Sequence, residues 1–198
     1  MSSERLRKVI ERIDGCNRED PNQEIVNGVS YPRELLYSQR LSEWVSRLNP
    51  HVSEELRIAA RGQHICRWTI PRDRYERNRR GYLRWREVLK AFHAQKVAEL
   101  MREAGYPDEA VERVRRIISK RHLQDDPDTQ TLEDALCLVF LETQFADLMR
   151  KTPREKMTEI LRKTWKKMSE QGRAAASQLP LGEPERRLLD EALAAENP

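Results

Sequence analysis

The chain has 198 residues, 38% of them apolar and 35% charged, with 7 Gly, 10 Pro and a net charge of +4. That length suits one domain with a sizeable core, and so little glycine and proline argues against a protein of many short strands. A mean hydropathy of −0.85 would suit disorder, but near-balanced charge and regularly spaced apolar residues oppose it and favour packed helices.

In chain order, a first helix is predicted over residues 3–13, ending at Asp14-Gly15. Residues 16–31 read as a polar loop with a tight turn at Asn27-Gly28. Pro32 opens a helix with Leu35, Leu36, Leu41, Trp44, Val45 and Leu48 on roughly one face, stopped by Asn49-Pro50. Ser53 caps a third helix, with Glu54 and Glu55 in its first turn, running to His64. Pro71 interrupts the chain beyond that helix, and residues 72–80 look irregular and strongly basic.

A long helix then carries Leu83, Val88, Leu89, Phe92, Val97, Leu100 and Met101 and closes at Gly105. The next starts at Pro107-Asp108. Thr131 begins the most apolar helix, through Leu132, Ala135, Leu136, Val139, Phe140 and Leu141, with Thr131 to Asp134 spaced as a capping box. Thr152-Pro153-Arg154-Glu155 has the same spacing, with proline at the first helical position. A small-residue segment, 172–178, and a last helix near 183–194 complete the chain. The expectation is an all-α, compact multi-helix single domain over 1–198, with a core of about 32–168 and a helical extension over 169–198.

No apolar run approaches the ~20 residues of a membrane span, and residues 1–12 do not resemble a signal peptide. Cys16, Cys66 and Cys137 lack metal-ligand spacing. A cytoplasmic protein without disulfides is expected.

Charge is unevenly spread. Residues 67–90 hold nine basic and three acidic side chains, a local charge of +6 against −2 for the remainder. Such focusing points to an anionic partner. Arg67, Arg72 and Arg86 are candidates to hold a phosphate through paired bonds, with Lys120 a further cation. Trp68 and Tyr82 offer faces for stacking. The short cluster and modest total charge favour a small phosphorylated ligand or nucleotide over nucleic acid. A solvated helix face with aromatic core residues would give a similar pattern.

His64 stands at the end of an apolar helix beside basic neighbours, well placed to meet a ligand; a core histidine bonded to a carbonyl would look similar. His93 lies among apolar residues. His122 reads as exposed and His51 as a surface turn residue. Asp134 is either a helix cap or a carboxylate opening a buried helix toward a pocket. His64, His93 and Asp134 from separate helices could hold a divalent metal and activate water against a phosphoester. His64-Ile65 and Lys167-Met168-Ser169 share letters with two aminoacyl-tRNA synthetase motifs, but the α/β sheet those motifs require is not indicated.

The strings Glu19-Asp20-Pro21-Asn22, Glu34-Leu35-Leu36-Tyr37-Ser38-Gln39-Arg40, Gln63-His64-Ile65, Arg67-Trp68, Ile70-Pro71-Arg72, Gly81-Tyr82-Leu83-Arg84-Trp85-Arg86, Phe92-His93-Ala94, Leu132-Glu133-Asp134 and Cys137-Leu138-Val139-Phe140-Leu141-Glu142 resemble a family known as domain of unknown function 4202. That resemblance covers most of the chain and implies no activity. The order of helices also resembles HD-type metal-dependent phosphohydrolases. There, His64 matches the histidine of the His-Asp pair and Asp134 the last aspartate. Gln39 and Ile65 stand where the other two ligands would be, so two of four are absent. The resemblance implies an HD-like fold with His64 and Asp134 lining a pocket. Three functions are expected from these readings: a binding domain for a phosphorylated ligand with an Arg-rich pocket, a metal-dependent phosphohydrolase with an altered ligand set, or a protein-interaction module.

Overall fold

The computed structural model describes residues 3–120 and 125–194. These are mostly helical, with one two-stranded hairpin, and they divide into two compact units, residues 1–132 and 133–198.

In the first unit, α1 (Glu4–Arg18) is capped by Ser3, whose hydroxyl accepts from Leu6 N. It runs through Gly15 rather than stopping there, because Asn17 joins its buried face with Leu6, Val9 and Ile13. The expected polar loop is a hairpin instead, β1 (Gln23–Val26) against β2 (Val29–Pro32). Asn27 and Gly28 take φ of 51° and 79°. Those positive angles are the geometry of a two-residue hairpin turn, which glycine adopts freely and asparagine tolerates.

Next comes α2 (Arg33–Leu48). Pro32 gives it no side-chain cap; the Asp20 carboxylate does so from a distance, accepting from Glu34 N at 2.9 Å. Its other oxygen accepts from the backbone and side chain of Asn22.

The helix α3 (Glu54–Gly62) is capped by Ser53 as expected. It packs against α1, α2 and two later helices, α4 (Arg79–Glu103) and α5 (Asp108–Ile118). Leu56, Ile58, Ala59 and Ala60 are wholly buried, so α3 forms the axis of this unit. Small residues there let the backbones approach. A Cβ on Gly62 would fall 2.3 Å from the Val97 side chain of α4. The helix ends at Gly62, short of His64, and leaves that histidine in a turn beyond it.

Two short 3-10 turns, Arg67–Thr69 and Arg72–Arg74, precede α4. Asn78 caps α4 by accepting from Gly81 N. Gly105, at φ 80°, closes it in the left-handed conformation that suits a residue with no Cβ.

The helix α6 (Pro127–Thr143) crosses the boundary between the units. It begins one turn before Thr131, whose hydroxyl merely bonds back to the Pro127 carbonyl. Thr131 therefore caps nothing, and the capping-box reading of Asp134 is corrected. The second unit continues with α7 (Phe145–Lys151), α8 (Arg154–Lys167), α9 (Glu170–Ser177) and α10 (Glu183–Ala194). Helices α7, α8 and α10 pack on one another, with Phe145, Met157, Leu161, Leu188 and Leu189 buried. At the start of α8, Pro153 itself takes the cap position and no side chain caps it, which corrects the Thr152 reading. No described helix is long and apolar enough to cross a membrane.

Candidate functional site

The first unit gathers a polar group around His64. The fold brings it together from α2, the turn after α3, and α4. From the first turn of α2, Glu34 reaches inward, and its Oε2 lies 3.2 Å from His64 Nδ1. The other oxygen of Glu34 lies 3.8 Å from Arg67 Nε. One turn on, Tyr37 stacks on the His64 ring, centroids 4.3 Å apart and planes within 10°. His93 of α4 approaches from the other helix, its ring 5.9 Å from that of His64. The side chains of Glu34, His64 and Arg67 keep 10%, 19% and 23% of their surface, so the group is sheltered yet reachable from solvent.

Arg67 is held in place from two sides. Its guanidinium lies over the Trp85 ring at 4.7 Å, and the Trp85 indole donates to the Ile70 carbonyl at 2.8 Å. Tyr82 flanks Trp85, ring to ring at 6.0 Å, and is itself exposed. The residue before Arg67, Cys66, sits at φ 51°, and Lys120 at φ 55°. Non-glycine residues in this left-handed region are uncommon. Such departures from relaxed backbone gather at functional sites.

Electrostatics follow from burial. Desolvation raises Glu34 from the ordinary carboxylate value to about 7, against the pull of Arg67. Desolvation also drives His64 well below its usual value, and the charges of Arg67, Arg86 and Lys120 push it further the same way. His93 is lowered by burial first, then by His64, against its bond to the Ile65 carbonyl. Burial lowers Arg67 too, opposed by Glu34, yet an arginine stays charged at neutral pH. At neutral pH the site therefore holds neutral imidazoles and fixed cations, with Glu34 poised to carry or release a proton.

Of the residues singled out in the sequence, His64 and His93 lie together in the first unit, the charges of Arg67 and Arg86 lower both, and that of Lys120 lowers His64. Trp68 is half-buried in the turn after Arg67. Arg72 is turned elsewhere. Its guanidinium donates to the carbonyls of Tyr75, Glu76 and Asn78 at 2.9, 2.6 and 3.4 Å, folding the basic loop around itself. Asp134 belongs to the second unit, buried, with one oxygen accepting from Ser169 N at 2.8 Å and the other from its hydroxyl. Gly172 is required there, since a Cβ would lie 2.6 Å from the Asp134 carboxyl carbon. Gln39 lies half-buried on α2 and Ile65 in the core. His51 is exposed, as expected; His122 lies outside the described residues.

Sequence reasoning missed Glu34 and Tyr37 as members of the site. Glu34 looks like an ordinary acid in a helix first turn. Its only distinguishing sign was membership of the Glu34–Arg40 string. No group of three or more His, Cys, Asp or Glu side chains able to hold a metal ion occurs among the described residues.

The fold and site define a helical protein with a sheltered His-Glu pair beside Arg67. The chain belongs to the family described as Domain of unknown function (DUF4202), which matches residues 7–189. No curated protein and no solved structure matches it.

Proposed function

We propose that this chain is an HD-like helical domain that binds a small phosphorylated or nucleotide-type ligand at the His64 group of its first unit. One observation carries the reading: Arg67, held over Trp85 at 4.7 Å, lies 3.8 Å from the same Glu34 carboxylate that meets His64 at 3.2 Å, and the charges of Arg67, Arg86 and Lys120 all lower that imidazole. Glu34 is the acid in contact there, and burial raises it to about 7, so near neutral pH it carries only part of a charge. Cations gathered around this group favour an anion with several oxygens, and a phosphate fits that need. Arginine suits the task, because its planar fork donates paired bonds. The stacking of Arg67 on Trp85 fixes that fork before a ligand arrives, which lowers the ordering cost of binding.

The order of helices supports the HD-like part of the reading, with His64 in the position of the paired histidine. Two ligands of that family's metal are replaced by Gln39 and Ile65, so the positive charge has to come from the arginines.

Calorimetric titration of a nucleotide panel, with and without chelator, tests this. Arg67→Ala and Arg86→Ala should each weaken the best ligand by about 1.5–3 kcal/mol, roughly ten- to a hundredfold. Binding that vanishes on chelation while both variants bind normally would overturn the reading in favour of a metal-dependent phosphohydrolase.

A further inference from the structure

His93 is 98% buried, with 2% of its surface exposed. Its Nδ1 lies 2.9 Å from the Ile65 carbonyl oxygen. A carbonyl only accepts, so Nδ1 carries the proton and Nε2 is a bare lone pair in the neutral ring. That Nε2 has no hydrogen-bond partner among the described residues. Buried side-chain acceptors are usually satisfied, and each one left open costs about 1–3 kcal/mol. On Glu34, Oε2 is in the same condition, buried and without a hydrogen bond, although 3.2 Å from His64 Nδ1. Thus His93 Nε2 and, when Glu34 is ionised, Glu34 Oε2 are open acceptors beside His64.

Phosphate oxygens cannot fill them. A phosphate monoester near pH 8 is a dianion whose oxygens are all acceptors, and two lone pairs repel. The group that meets His93 Nε2 must instead donate an O–H or N–H. It must also lie close to the phosphate, because Arg67 lies 3.8 Å from Glu34, Glu34 lies 3.2 Å from His64, and the His64 ring is 5.9 Å from that of His93. A hydroxyl one or two carbons from the ester oxygen meets both conditions. A nucleobase amine, separated from its phosphate by a whole ribose, does not.

Resting on the phosphate-binding reading, we infer that the ligand is a hydroxyl-bearing phosphate monoester, a polyol or sugar phosphate, whose hydroxyl donates to His93 Nε2 while Arg67 and Arg86 take its phosphate. The site thereby selects against phosphates that lack a neighbouring hydroxyl. The discrimination comes from an acceptor left unpaired when such a ligand occupies the site.

Glycerol 3-phosphate and propyl phosphate test this directly in the full chain, with equal charge and the same carbon count but two hydroxyls against none. Calorimetry at about pH 8 should give glycerol 3-phosphate about tenfold or more tighter binding. His93→Phe should bring the ratio of the two affinities to about one. His93→Gln, which can present an amide oxygen, should restore part of it. If either variant fails to fold, the ligand pair in the unaltered protein decides alone. Equal affinity, or tighter propyl phosphate, overturns this inference and leaves the phosphate reading standing. If neither ester nor inorganic phosphate binds, both fall together.

Discussion

Two of the buried carboxylates, Glu34 of the first unit and Asp134 of the second, are used in opposite ways. In the second unit, Asp134 spends both oxygens on Ser169, the cap residue of α9. In the first, Glu34 keeps one buried oxygen without a hydrogen bond and lies among histidines and arginines instead. Burial of a carboxylate is therefore no sign of function by itself. A carboxylate whose lone pairs are consumed by backbone and hydroxyl donors fixes the chain. One that is desolvated and left open is held ready at a cost in stability, and such costs are tolerated where a ligand can offset them.

The largest expected effect is on Asp134. Asp134→Ala removes two charge-assisted bonds and should destabilise the protein by about 3–5 kcal/mol, seen as a lower urea midpoint. An unchanged midpoint would break the contrast, since Asp134 would then be no more structural than Glu34.

The next effect is on pH dependence. Glu34 sits at about 7 in the folded chain against 4.5 when exposed. Between those values the folded protein holds a proton that the unfolded chain has lost. The contribution of Glu34 is therefore whole below about pH 4.5 and disappears as pH rises through 7, by on the order of 3 kcal/mol. His64 and His93 are lowered from 6.5 and act the other way. Their contribution is present above about pH 6.5 and is lost on acidification. Glu34→Gln removes only the first slope. The stability of that variant relative to the unaltered protein should climb from pH 4.5 to 7 and then level off. Chemical denaturation across that range that shows a flat difference would mean Glu34 is not desolvated as described.

The smallest effect separates a true cap from an apparent one. Ser53 bonds Leu56 N and Asp128, so Ser53→Ala should cost about 1–2 kcal/mol. Thr131 only back-bonds within α6, so Thr131→Ala should stay within about 0.5 kcal/mol of the unaltered protein. Equal losses in thermal melts would restore Thr131 as a cap and shift the start of α6.

Much of the helical framework is local and was readable. Ser53 followed by two glutamates, Asn49-Pro50 as a stop, Gly105 at the end of α4 and the basic run before it are all short-range signals. The errors have a common cause. Thr131 and Thr152 carry cap spacing, but a proline in each case had already set the helix start, at Pro127 and Pro153. Hairpin β1–β2 was missed because its strands are four residues each, too short for a periodic signal, and bury little: Ile25, Val29 and Tyr31 are all exposed.

The sequence by itself determined the helical class, most helix boundaries, the concentration of positive charge in residues 67–90 and the prominence of His64. Those properties depend on neighbours within a few turns, where periodicity and caps act. Tertiary structure alone decided which polar groups meet. Asp20 caps α2 across 14 residues, Glu34 reaches His64 across 30, and Asp134 turns to Ser169 across 35. Arg72 and Arg67 look alike in the sequence. Packing sends one to backbone carbonyls and the other to Trp85 and Glu34. The reason is that a side chain's role depends on which donors and acceptors remain open around it, and that is settled only when distant helices are brought together.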